Sequence, residues 1–146
     1  MDLEAKLAVK DIDRRLVYRC AIPMRWGDQD TMHHINNTLY FQYMEQARVE
    51  WLDVLCADER KEKNQGAVLV TASCTFLIPL TYPGTITCDI FIGPPGRSSL
   101  PTFYELRRTD DERLFATGEA KLVWIDKTSG KSIALPESLR QEFLTA

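Results

Sequence analysis

Apolar positions follow a helical period over one stretch of this chain and a period of two over most of the rest. Between Asn37 and Leu55, the residues Tyr40, Met44, Ala47, Trp51 and Leu55 stand four, three, four and four apart, which lays them along one helical face. Phe41, Tyr43 and Leu52 widen that face, so the expected helix packs on more than one side. Asn36 or Asn37 can cap its first turn, and no glycine or proline interrupts it. Ahead of the helix, Leu16 to Met24 reads as a strand with Pro23 near its end, and the polar segment Trp26 to Asn37 reads as a loop. Behind it, the charged run Asp58 to Gln65 reads as a solvated connector.

Four more strands are expected. Val68, Val70, Ala72, Cys74, Phe76 and Ile78 alternate along one face of the first, which Pro79 and Pro83-Gly84 end. Ile86, Cys88, Ile90 and Ile92 do the same in the second, up to Gly93-Pro94-Pro95-Gly96. A third runs from about Thr102 to Arg108. After a turn at Asp110-Asp111, Leu114, Ala116, Gly118, Ala120, Leu122 and Trp124 line one face of the fourth, where Gly118 and its alanine neighbours leave room for the helix. Pro136-Glu137-Ser138 opens a short terminal helix. Short connections and the absence of βαβ repetition favour an antiparallel sheet. The expectation is therefore an α+β fold, one long helix wrapped by a curved antiparallel five-stranded sheet. It forms a single domain over residues 1–146, with 1–14 as a loose N-terminal arm. Such a sheet has unpaired edges, and two copies meeting edge to edge would cover them.

Composition narrows the function. A chain of 146 residues, 45% hydrophobic and 27% charged, can bury about 68–70% of its unfolded surface without disulfides or a structural metal. Eighteen basic against twenty-one acidic residues give a net charge of −3, which lacks the broad positive field of a nucleic-acid binder. Cys20, Cys56, Cys74 and Cys88 form no CxxC and read as buried free thiols in a reducing, cytoplasmic setting. No apolar run is long enough for a membrane span. His33 and His34 are the only histidines and show no metal-ligand spacing, so no metal site is expected.

Several groups can carry chemistry. Asp28 and Asp30 stand two apart, so an extended loop can aim both carboxylates one way and raise one pKa toward a base's range. Turn bonding to backbone N–H groups is the other reading, and spacing alone favours it. Orphan N–H groups and the positive end of the dipole at the helix start, near Asn36 and Asn37, suit a developing oxyanion. Glu45 and Arg48 have the spacing of a helical ion pair. The run Gly96-Arg97-Ser98-Ser99 lacks the lysine and following helix of a P-loop. Its cation and two hydroxyls suit a phosphate, and an ordinary inter-strand turn accounts for it equally well.

Residues 25–52, RWGDQDTMHHINNTLYFQYMEQARVEWL, resemble the opening motif of the hotdog-fold acyl-CoA thioesterases of the 4-hydroxybenzoyl-CoA thioesterase type. The resemblance continues through GRSS at 96–99, Tyr104-Glu105-Leu106, WIDKTSGK at 124–131 and LPESL at 135–139, about residues 15–142 in all. It implies hydrolysis of an acyl-CoA to a carboxylic acid and free CoA, with Asp30 as nucleophile or general base and no metal or redox cofactor. It assigns Asn36, Asn37 and His34 to oxyanion and substrate binding, and Arg97, Ser98 and Ser99 to the border of the CoA site. Glu45 is the second catalytic candidate, because other branches carry their carboxylate on the helix. The resemblance also implies a homodimer or a dimer-of-dimers tetramer with the site between protomers. His33 stands where many relatives carry glycine, which opens the question of loop geometry and acyl pocket. Two other readings are a non-catalytic acyl-CoA or acyl-carrier binding module and an acyl-carrier-protein thioesterase with a basic docking surface around Arg97, Arg107 and Arg108.

Overall fold

A computed structural model describes residues 13–145 of the chain. Most of the expected N-terminal arm, residues 1–12, lies outside them. Strand β1 (Arg15–Pro23) leads through a 3-10 turn (Trp26–Asp28) to helix α1 (Asn37–Leu55) and a one-turn helix α2 (Ala57–Lys61). Strands β2 (Gln65–Phe76), β3 (Thr85–Ile92), β4 (Ser99–Arg108) and β5 (Ala116–Asp126) follow, and helix α3 (Glu137–Thr145) ends the described chain. All pairings are antiparallel and the sheet order is β1-β3-β4-β5-β2.

The two periods read from the sequence meet in the core. Tyr40, Met44, Ala47 and Trp51 of α1 are buried, as are Ile86, Cys88, Ile90 and Ile92 of β3 and Ala116, Ala120, Leu122 and Trp124 of β5. Leu100, Tyr104 and Leu106 of β4 complete that layer. Gly118 permits a close approach of helix and sheet: a Cβ there would lie 2.1 Å from Met44 Sδ. The sheet wraps the helix because this one face is apolar on every strand except the outer part of β2.

Three expectations change. The run read as a solvated connector contains α2, whose first turn carries Asp58 and Glu59 and whose last carries Arg60 and Lys61, matching the helix dipole at both ends. Strand β4 starts at Ser99 rather than near Thr102, because Ser99, Leu100 and Pro101 pair with β5 beyond the reach of β3. In β2 the register shifts between Leu69 and Thr71, where a bulge at Val70 absorbs one residue. Val68 therefore pairs with Val123 on the outer face, while Leu69 joins Ala72, Cys74 and Phe76 on the helix side, so strict alternation misplaces Val68.

Candidate active site

The segment between β1 and α1 is a compact hairpin. Gln29 bridges Ile35, the N–H of Asp30 donates to the His34 carbonyl (2.8 Å), and the N–H of His33 donates to the Asp30 carbonyl (3.1 Å). Thr31, Met32 and His33 thus form a three-residue loop whose last member is left-handed, with His33 at φ 59°. That conformation favours glycine, which gives the physical meaning of the position where the resembling family carries glycine. Histidine tolerates it better than most side chains.

Asp30 sits at the start of this loop, half-buried. Its Oδ1 accepts the N–H of Met32 (2.8 Å) and of His34 (3.3 Å), while Oδ2 has no partner among the described residues. The turn-bonding reading of the sequence is thus realised through Oδ1. Asn36 caps α1, its Oδ1 accepting the N–H of Thr38 at 3.0 Å. The N–H of Asn36 itself donates to the Asp28 carbonyl (2.9 Å). The first orphan donor of the helix, the N–H of Asn37, has no acceptor among the described residues. His34 is half-buried beside Asp30, and its side chain makes no hydrogen bond among them.

Asp28 is the structural member of the pair. It is 3% exposed, and its Oδ2 accepts the Tyr43 hydroxyl (2.7 Å) and the Arg25 N–H (3.0 Å). Burial, and then the Asp28 carboxylate, push the Tyr43 phenol above its ordinary range. Leu80 makes a second brace: its carbonyl accepts the Ile35 N–H (2.8 Å) and its N–H donates to the Tyr40 hydroxyl (3.2 Å). Burial raises the Tyr40 phenol above its ordinary range, against a smaller lowering by the Leu80 bond. Arg108 in turn donates to the carbonyls of Thr81 (2.6 Å) and Pro83 (2.8 Å), fixing the segment that holds Leu80. Sequence reasoning took Tyr40 and Tyr43 as core alone. A buried tyrosine generally finds a partner for its hydroxyl, and that was the available signal.

The remaining candidates lie elsewhere. Arg97 is exposed, and the loop that carries it is fastened by Arg140 of α3, which donates to the carbonyls of Gly96 (2.9 Å) and Arg97 (2.8 Å). Ser99 opens β4, whereas the Asp30 hairpin hangs from the other end of the sheet, where Leu106, Ala116 and Phe76 align. Seven residues of β4 separate these ends, about 24 Å at 3.4 Å each. One chain therefore does not bring Arg97, Ser98 and Ser99 together with Asp30, Asn36, Asn37 and His34. Arg107 and Arg108 also lie far from Arg97, and both are engaged, Arg107 with Glu105 (2.9 Å) and Arg108 with Asp110 (3.1 Å). The three arginines form no common docking patch. The expected Glu45–Arg48 ion pair is also not formed: Arg48 points to the Tyr104 hydroxyl at 3.4 Å and Glu45 is exposed. Among the described residues no three His, Cys, Asp or Glu side chains gather as a metal site, and no helix is long and apolar enough to cross a membrane.

A long helix held in a curved antiparallel sheet of this order defines a hotdog fold. Residues 24–143 match the thioesterase-like superfamily; the chain belongs to that family and is a thioester hydrolase. PA2801 of Pseudomonas aeruginosa, a candidate thioesterase, is 37% identical and superposes with a TM-score of 0.81, over 87% of this chain and 98% of that one. A candidate acyl-CoA thioesterase of Xanthomonas campestris is 31% identical with a TM-score of 0.68, over 77% and 95%. SAV2348 of Staphylococcus aureus, solved in complex with CoA, shares the fold at a TM-score of 0.79 and 18% identity, over 90% and 83%.

Proposed function

We propose that the protein hydrolyses acyl-CoA thioesters to a carboxylic acid and free CoA, with Asp30 as the acting carboxylate. The observation that carries this is an Asp30 held through Oδ1 whose Oδ2, like the Asn37 N–H at the nearby helix start, has no partner among the described residues. As general base, Oδ2 takes a proton from water while the water oxygen attacks the thioester carbonyl. The C–S bond then breaks and the CoA thiolate recovers the proton. As nucleophile, Oδ2 attacks the carbonyl itself, CoA leaves, and water cleaves the resulting mixed anhydride. In both routes the negative oxygen forms where the Asn37 N–H and the helix dipole favour it, with His34 lining the same corner. The reaction as written consumes one thioester and one water and releases one carboxylic acid and one CoA thiol.

The active unit in this proposal is a dimer. Strand β2 has a free edge and exposes Val68, Leu69 and Val70, a liability that a second copy would remove. Antiparallel pairing of two β2 edges sets the Ser99 end of one sheet beside the Asp30 end of the other. Arg97, Ser98 and Ser99 of one copy then serve the CoA phosphates of a thioester bound at the other copy's Asp30.

The test is a panel of aliphatic and aromatic acyl-CoA substrates with detection of the released thiol, run on wild type, Asp30→Asn and Glu45→Gln. Loss of about 10²-fold or more in kcat for Asp30→Asn, with Glu45→Gln still active, is expected for a group that transfers the proton or forms the bond. Near-wild-type turnover of Asp30→Asn with a dead Glu45→Gln moves the chemistry to the helix, and a panel with no thiol release leaves the binding-module reading. Single turnover in ¹⁸O water separates the routes, since label in the Asp30 carboxyl requires the covalent one.

A further inference from the structure

Glu45 and Arg48 carry two charges that find no opposite charge among the described residues of a single copy. Both project from the flank of α1 that faces β2 and line a cavity of about 120 Å³ together with Phe41, Leu69, Tyr104 and Glu119. Among the described residues the Arg48 guanidinium reaches the neutral Tyr104 hydroxyl and no carboxylate, and Glu45 makes no hydrogen bond or ion pair. Three residues of helix separate them, a spacing that permits a pair within the helix, yet none forms. Their surroundings are those of a contact surface. Phe41 and Val49 of α1, and Leu69 and Val70 on β2, are apolar and exposed, beside the edge of the sheet that β2 forms.

We propose that Glu45 of one copy pairs with Arg48 of a second copy, and Arg48 of the first with Glu45 of the second, across the two-fold axis of the dimer. This rests on the dimer proposed above. In an isologous contact, residue i meets j and j meets i, so a single Glu–Arg couple satisfies itself twice. The placement follows from the fold. Leu69 and Ala72, which line the cavity with Glu45 and Arg48, bracket the middle of β2, where the axis of an antiparallel edge pairing passes. The same axis makes the two α1 helices antiparallel. Glu45 and Arg48 differ by about 4.5 Å in height at 1.5 Å per residue, so an axis at the level between them sets each beside its opposite. The couple then fixes register along β2, a strand whose mixed apolar faces and bulge specify it weakly.

The experiment measures association of the full chain by sedimentation and native mass spectrometry, with circular dichroism as the folding control. Wild type is expected to be dimeric at micromolar concentration. Glu45→Arg and Arg48→Glu each oppose like charges twice per dimer, and each alone is expected to raise the dissociation constant about tenfold or more. Mixed in equal amounts, the two variants restore every opposite pair, so a heterodimer is expected, with a dissociation constant within about threefold of wild type. Where a reversal prevents folding, Glu45→Gln and Arg48→Gln replace it, and the expected result is a weaker salt dependence of dimerisation. A dimeric wild type whose reversal or neutral variants associate as wild type does, or a mixture that gives no heterodimer, overturns the pairing. Variants that stay dimeric but lose acyl-CoA binding assign Arg48 to an anionic ligand instead. A monomeric wild type refutes the dimer itself and is thereby distinguished from failure of the pair.

Discussion

Gly118→Ala tests the contact on which the whole packing of α1 depends. In an open strand the change would favour the folded state, because alanine has less backbone freedom to lose than glycine, by about 0.4–1 kcal/mol. Here the new Cβ would lie 2.1 Å from Met44 Sδ and 3.1 Å from its Cε. Ordinary non-bonded contacts between carbon atoms settle at about 3.5–4.0 Å, so the thioether must move by more than an ångström. Met44 is 2% exposed, and the Ser73 carbonyl of the neighbouring strand stands 3.3 Å from the same Cβ, which blocks retreat of the strand. Overpacking of this kind costs about 1–3 kcal/mol. With 146 residues at about 2.1 cal/mol/K each, the unfolding entropy is about 0.3 kcal/mol/K, so Tm falls by about 3–10 °C. Thermal melts and urea midpoints of wild type, Gly118→Ala, Met44→Ala and the double variant measure it. The double variant should be more stable than the sum of the singles allows by about 1 kcal/mol or more, because Met44→Ala vacates the space that the Cβ needs. A Gly118→Ala protein as stable as wild type, or strictly additive singles, would refute the close approach of helix and sheet.

Tyr43→Phe removes a hydroxyl from a buried carboxylate and is expected to lower stability by about 1.5–3 kcal/mol in urea titration, without changing the far-UV spectrum. His33→Gly should stay within about 1 kcal/mol of wild type, since relief at φ 59° is offset by glycine's larger entropy loss, whereas His33→Val should lose about 1–2 kcal/mol or more; chemical denaturation of the two variants decides it. Burial, with the Glu50 carboxylate beside it, pushes the Cys20 thiol up to about 12, and burial pushes Cys56 and Cys74 up to about 11. The folded chain therefore holds these protons more tightly than the unfolded chain, whose thiols titrate near the ordinary 9.0. Stability from this source is complete below about pH 9 and is lost as pH rises from there toward 12, so the urea midpoint should fall over that window and fall less when these cysteines are replaced by alanine.

Much of the fold is legible because the chain's two periods are clean. The stripe through Tyr40, Met44, Ala47 and Trp51 and the alternation Ile86-Cys88-Ile90-Ile92 each bury what they expose to one another, and Gly118 marks the crossing. Alternation failed where the backbone broke its own rule: the bulge at Val70 has no glycine or proline to announce it, so Val68 changes face unseen. At the site, Asn36 as cap and the Asp30 turn follow from local hydrogen-bonding habits that the sequence displays. The braces do not. Tyr43 to Asp28, Leu80 to Ile35 and Tyr40, and Arg140 to the Arg97 loop join residues 15 to 45 positions apart, and no local pattern carries such pairings.

That division bears on how the site is built. Each end of the sheet is stiffened by an arginine that bridges two carbonyls, Arg108 at the segment supporting Leu80 and Arg140 at the loop bearing Arg97. A planar guanidinium suits this task because its donors lie in a fixed fork, so two carbonyls are held at once and the loop loses its freedom to slide. The chain thus places rigid, chemically distinct devices at opposite ends of one sheet, a carboxylate beside a helix start and a cation with hydroxyls. A single copy keeps these two ends about 24 Å apart along β4. In the dimer proposed above, an antiparallel partner would lay one end against the other, so that a thioester held by its phosphates in one chain would meet the Asp30 carboxylate of the other.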